Sequence, residues 1–135
     1  MAAAVDTRAK TIREQLEREV EEFNNLQKES QKSHGARQKV VQQLEESKTV
    51  HAELKQLNDD SVVYKLIGPV LVRQDLVEAK INVEKRIEYI EKEAERLEHG
   101  LKAIEGKQRE KQDIVRKQQE KLQKLMAEQA SAAGK

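Results

Sequence analysis

The chain has 135 residues, 38% charged, 36% hydrophobic and 2% aromatic, with a formal net charge of +1. It has no cysteine and no tryptophan, which excludes disulfides and thiolate metal sites and makes a wide, thick core unexpected. Ala, Leu, Glu, Lys and Arg make up about half of it, the composition of long helices or coiled coils rather than of a globule.

The regular apolar spacing argues against disorder. No apolar run approaches the roughly eighteen residues of a membrane span. The opening MAAAVDTRAK has no basic stretch followed by an apolar one, so no secretory signal is expected. The absence of cysteine suits a reducing compartment.

The first predicted element is a helix over residues 6–58. Stepping alternately three and four residues from Ala9 passes through Ile12, Leu16, Glu19, Phe23, Leu26, Ser30, Ser33, Arg37, Val40, Leu44, Ser47, His51 and Leu54. Eight of these fourteen positions are apolar, so the heptad seam is real but patchy. The helix should stop at NDDS, residues 58–61, where short polar side chains compete with the helical backbone.

The centre, SVVYKLIGPVLVRQD, is the most apolar and β-branched part of the chain. Gly68-Pro69 punctuates a turn, and Pro69 is the only proline. Val62–Leu66 and Val70–Arg73 therefore read as two strands of a β-hairpin within residues 62–73. A lone two-stranded hairpin is marginal in water. This one is apolar on both faces, so pairing with strands of other chains is expected. Its candidate assembly residues are Val62, Val63, Tyr64, Leu66, Ile67, Gly68, Pro69, Val70, Leu71 and Val72.

The second predicted helix covers residues 75–128, opened by the capping pair Asp75 and Glu78. Its seam is cleaner: Leu76, Lys80, Val83, Ile87, Ile90, Ala94, Leu97, Leu101, Ile104, Gln108, Lys111, Val115, Gln118, Leu122 and Leu125, eleven of fifteen apolar. Residues 129–135 are expected to form a flexible tail.

Arms of matched length around a central break predict a mainly α fold: a long antiparallel coiled-coil hairpin carrying one central β-hairpin. If the chain folds so that Leu44 meets Ile90, then Val40 meets Ala94, Ile12 meets Leu122 and Ala9 meets Leu125. Charge agrees with this alignment. Residues 14–29 carry a net −4 and residues 107–124 a net +4. Each exposed pair is worth only about 0–1 kcal/mol, but the summed sign favours antiparallel pairing within one chain.

Other chemistry finds no support. His34, His51 and His99 are dispersed and no metal site is expected. GLKAIEGK at 100–107 has five residues between its glycines and no Ser or Thr after Lys107, so it is no phosphate loop. Asp59 and Asp60 fit helix termination better than paired carboxylates, and no serine has a triad arrangement. An enzyme, a cofactor site and a catalytic residue are not expected. The basic stretch 107–124 is interleaved with Glu and Gln and lacks aromatics; a solvated helix face, not a nucleic-acid or membrane surface, is the reading.

The segment VVYKLIGPVLVRQDL, with ARQKVVQQLEE before it and KRIEYIEKE after it, resembles the β-class subunits of prefoldin. The single central hairpin places the chain in that class, since the α class has two. The resemblance implies a cytoplasmic hetero-hexameric co-chaperone of α- and β-class subunits, joined through a β-barrel hub. It implies arm tips that hold unfolded polypeptides, actin and tubulin among them, and transfer them to the cytosolic group II chaperonin without ATP hydrolysis. Neither nucleic acid nor membrane is an implied partner. The tips would carry Val5, Ile12 and Leu16 from one end and Leu122, Leu125 and Met126 from the other. The same residues also serve to close the coil. A second function class stays open: a structural coiled-coil tether that binds native partners.

Overall fold

The computed structural model describes residues 2–133. The elements run α1 (Ala2–Gln56), β1 (Val63–Ile67), β2 (Val70–Gln74) and α2 (Leu76–Ala133). They fold as two compact units. One spans His34–His99 and contains the hairpin; the other combines the residues up to Ser33 with those from Gly100 onward.

In the hairpin-bearing unit, α1 ends at Gln56, where the Leu57 N–H donates to the Leu54 carbonyl in a tightened last turn. A turn follows, closed by the Ser61 N–H donating to the Asn58 carbonyl at 2.9 Å. Lys55 in the last turn of α1 and Glu78 in the first turn of α2 both complement their helix dipoles. Asp75 takes the N-cap position of α2, its carbonyl accepting from the Ala79 N–H at 2.9 Å.

The two strands pair antiparallel, in the register Val63 with Gln74, Tyr64 with Arg73, Lys65 with Val72, Leu66 with Leu71 and Ile67 with Val70. That leaves Gly68-Pro69 as a two-residue loop. Gly68 has φ +57°, which any side chain would strain, while the ring of Pro69 holds φ negative. A positive then a negative φ is the pattern of a type II′ turn, whose twist matches that of the strands.

Each strand lies one residue off the sequence-based limits. β2 ends at Gln74 rather than Arg73, and β1 runs to Ile67 rather than Leu66 because the two-residue loop pairs Ile67 with Val70; β1 begins at Val63 rather than Val62. The reason is packing at the hairpin base. Leu54, Leu76 and Ala79 form a buried cluster, and Val63 and Val83 pack against it. Val63 thus faces the helices, and Val62 lies outside the ladder, exposed. Ala79 falls between the heptad positions 76 and 80, yet is buried because the hairpin base covers it.

The seam expected from the heptad is the buried line of both helices. Of the fourteen α1 positions only Arg37 is exposed, and all fifteen α2 positions are buried or half-buried. Within the hairpin-bearing unit His51 Nε2 lies 3.1 Å from a Glu84 carboxylate oxygen. Within the other unit the Gln129 side-chain amide donates to Asp6 at 3.1 Å, and the Lys111 ammonium donates to Glu19 at 2.7 Å and to Glu22. Asp6–Gln129, Glu22–Lys111 and His51–Glu84 each fall within one residue of the pairing expected from Leu44 opposite Ile90. In both units α1 and α2 therefore run antiparallel.

α1 starts at Ala2, ahead of the expected residue 6, since alanine is the strongest helix former. α2 continues to Ala133, through residues assigned above to a flexible tail, because MAEQASAA contains no strong breaker. Gly134 and Lys135 of that tail lie outside the described residues.

Candidate functional site

Two surfaces gather the residues singled out in the sequence. The first is the hairpin. Residues that pair across an antiparallel ladder point to the same face. One face carries Val63, Lys65, Ile67, Val70, Val72 and Gln74, and the other carries Tyr64, Leu66, Leu71 and Arg73. Only Val63 and Gln74, at the base, are half-buried. Tyr64, Leu66 and Leu71 are 58%, 68% and 64% exposed, and Val62, Ile67, Val70 and Val72 are exposed with them.

The strand edges are open as well. A two-residue loop makes Ile67 and Val70 a hydrogen-bonded pair, and alternation then turns the backbone groups of Tyr64, Leu66, Leu71 and Arg73 outward. The hairpin thus offers apolar side chains and unpaired backbone donors and acceptors together, the arrangement that recruits further strands. α2 also exposes apolar side chains. On α2, Val77 and Ile81 are exposed one helical turn apart, and Tyr89 lies further along the helix. These were not among the sequence candidates. Their signal was legible as apolar residues at four-residue spacing outside the seam.

The second surface lies in the unit that holds both ends of the described chain. Val5, Ile12, Leu16, Leu122 and Leu125 are all half-buried in or beside the seam, and Met126 is exposed. The structure brings Ile12 and Leu125 together in a shallow groove of about 450 Å³, with Thr7, Arg8, Thr11, Lys121, Lys124 and Glu128. Val5, Leu16, Leu122 and Met126 do not line it. Sequence reasoning missed the polar wall, because it lies on helix positions that the heptad assigns to solvent.

Between the ionic groups of this unit the strongest local arrangement is Lys111. It occupies a seam position where an apolar residue would be ordinary, and its ammonium bridges Glu19 and Glu22 of α1. The hydrogen bond to Glu19, then that to Glu22, raises the Lys111 pKa above the ordinary lysine value. Nearby, Gln118 keeps a buried side-chain oxygen without a hydrogen-bond partner among the described residues. In the other unit, the hydrogen bond from Arg96 holds the Glu93 carboxyl below its ordinary value.

Among the described residues, no group of three or more His, Cys, Asp or Glu side chains is placed to hold a metal ion. No helix among them is long and apolar enough to cross a membrane. What the two surfaces can do is bind: one through strand edges and exposed aliphatic side chains, the other through a small apolar floor with charged walls.

Comparison with known proteins agrees with this geometry. Residues 17–129 match the family model described as prefoldin subunit. Prefoldin subunit 6 of Arabidopsis thaliana is 45% identical over 121 residues, covering 90% of this chain and 94% of that protein. Prefoldin subunit 6 of Homo sapiens is 40% identical over 127 residues, covering 94% and 98%. The crystal structure of the prefoldin beta subunit from Thermococcus strain KS-1 superposes with a TM-score of 0.73 at 27% identity, covering 76% of this chain and 90% of that one.

Proposed function

The chain belongs to the prefoldin subunit family, and we propose that it acts as one β-class subunit of a cytoplasmic hetero-hexameric co-chaperone. In this reading the hairpin joins it to α- and β-class sister subunits. The chain-end unit takes hold of unfolded polypeptides, actin and tubulin among them, and passes them to the cytosolic group II chaperonin without ATP hydrolysis.

The observation that carries the reading is the hairpin. In a chain that is 38% charged, the only two strands of the described residues are open at both edges and expose Tyr64, Leu66 and Leu71. Such a surface left bare in water favours aggregation, so it fits an assembly joint. A tether for native partners has no need of it. Holding a non-native chain needs weak, adaptable contacts. Half-covered aliphatic groups and the flexible Met126 in the chain-end unit suit that task. Several subunits acting on one client would raise the effective concentration of such contacts.

The test is functional. The full chain, purified with its sister subunits, should suppress the light scattering of actin diluted from denaturant. A version lacking residues 1–12 and 122–135 should assemble through the same hairpin but lose most of that suppression. Equal suppression by the trimmed version would overturn client capture by the chain ends and return the tether reading to first place.

A further inference from the structure

We infer that the groove lined by Ile12 and Leu125 selects polypeptide segments in which an apolar side chain is flanked by carboxylates. The inference rests on the client-capture reading above and names the class of segment taken.

The floor comes from Ile12 and Leu125, each only half-covered by the seam. Thr7 and Thr11 have no free hydroxyl proton to donate to a ligand. Thr7 Oγ1 donates to the Ala3 carbonyl at 2.8 Å, and Thr11 Oγ1 to the Thr7 carbonyl at 2.9 Å. Their hydroxyl protons are engaged by their own helix, so each adds chiefly its methyl to the groove. The threonines therefore give a carboxylate no neutral donor, and what can favour it there is apolar contact and charge.

The charge is one-sided. Arg8, Lys121 and Lys124 line the groove against the single carboxylate of Glu128. Among the described residues none of these three cations is engaged in an ion pair, whereas Lys111, on α2 like the two lysines, takes two carboxylates. The aliphatic stems of the lysines and arginine can extend the apolar wall while their heads reach outward. A segment carrying Asp or Glu beside a Leu or Met would meet apolar floor and cationic rim at once; a basic segment would meet like charge. The acidic stretch of α1 around Glu19 and Glu22 is already matched to Lys111, so a second copy of this chain is the weaker occupant. A nucleic acid would gain nothing from an aliphatic floor that has no aromatic ring for stacking.

The experiment uses the assembled complex containing the full chain and four short fluorescein-labelled peptides, read by anisotropy. Three carry leucines flanked by Asp and Glu, by Asn and Gln, or by Lys. The fourth is the acidic peptide with serine in place of leucine. The acidic leucine peptide should bind about fivefold tighter than the neutral one at low salt, the scale of two exposed charge contacts, and the difference should shrink as salt is added. The acidic serine peptide should bind more weakly than its leucine counterpart. Lys121→Glu combined with Lys124→Glu changes two exposed residues outside the seam, and should reverse the order in favour of the lysine peptide. Unchanged complex mass and helix content would verify that variant.

Three results would overturn the inference: equal binding of the three leucine peptides, equal binding of the two acidic peptides, or an acidic preference that survives the double reversal. Suppression of actin aggregation, measured in parallel, reports separately on the client reading, so an intact suppression with no peptide preference sinks the inference alone.

Discussion

Gly68 shows how one backbone angle constrains a hairpin turn. Its φ of +57° has open space around it, so a β-carbon would meet no neighbour; the cost of a side chain lies in the backbone alone. Gly68→Ala should weaken the turn by about 1–2 kcal/mol, the penalty of left-handed backbone for an L-residue. Faster amide exchange across Val63–Gln74, with helix content unchanged, is the measurement that checks it. Lys111 is the corresponding polar case. Its pKa is raised by Glu19 and Glu22, so its contribution to stability is complete below the ordinary lysine value and is lost as pH rises through the higher folded value. The stability gap between the protein and its Lys111→Met variant should therefore be flat from neutral to mildly alkaline pH and close only beyond the lysine range. Denaturant titration across that range tests it, and a gap that closes near neutrality would refute the assignment. Lys111 stands in for a seam hydrophobe and, with the unpartnered oxygen of Gln118, leaves this stretch less apolar than the leucine-rich layers. Leu101 and Ile104, in the same unit, are buried.

At the scale of elements, the hairpin divides into a base and a blade. Val63 belongs to the base, packed on Leu54, Leu76 and Ala79, so a charge there would disturb the helices as well as any partner. Leu66 and Leu71 belong to the blade. They face each other across the ladder and are both largely exposed. Leu66→Asp with Leu71→Asp should therefore abolish association with sister subunits while circular dichroism keeps the full helical signal. Co-purification followed by sedimentation would show it; an unchanged assembly would place the joint elsewhere. The helices are held differently. Their apolar residues fill one seam, and α1 carries an acidic stretch where α2 carries a basic one, so the wrong register would forfeit both. Exposed i, i+4 and i, i+3 pairs such as Glu88 with Lys92 and Glu93 with Arg96 add small local support to α2.

For the molecule as a whole, two different local patterns build the two kinds of structure. A 3.5-residue repeat builds the paired helices, and a short β-branched apolar run punctuated by Gly68-Pro69 builds the hairpin. Both are properties of neighbouring residues along the chain, which is why the coiled-coil hairpin, the antiparallel pairing and the central β-hairpin were legible from the amino-acid order. Of the positions assigned to the seam only Arg37 escapes burial. What the order of residues could not supply was anything set by coverage from a distant segment. The burial of Ala79 and the inward face of Val63 arise where the hairpin base meets the helix ends. The groove over Ile12 and Leu125 needs Arg8, Lys121 and Lys124 brought to one place from opposite ends of the chain. A heptad records only that such residues face away from the seam. Which of them become neighbours is settled by the lateral packing of α1 on α2, and periodicity along one helix carries no information about that.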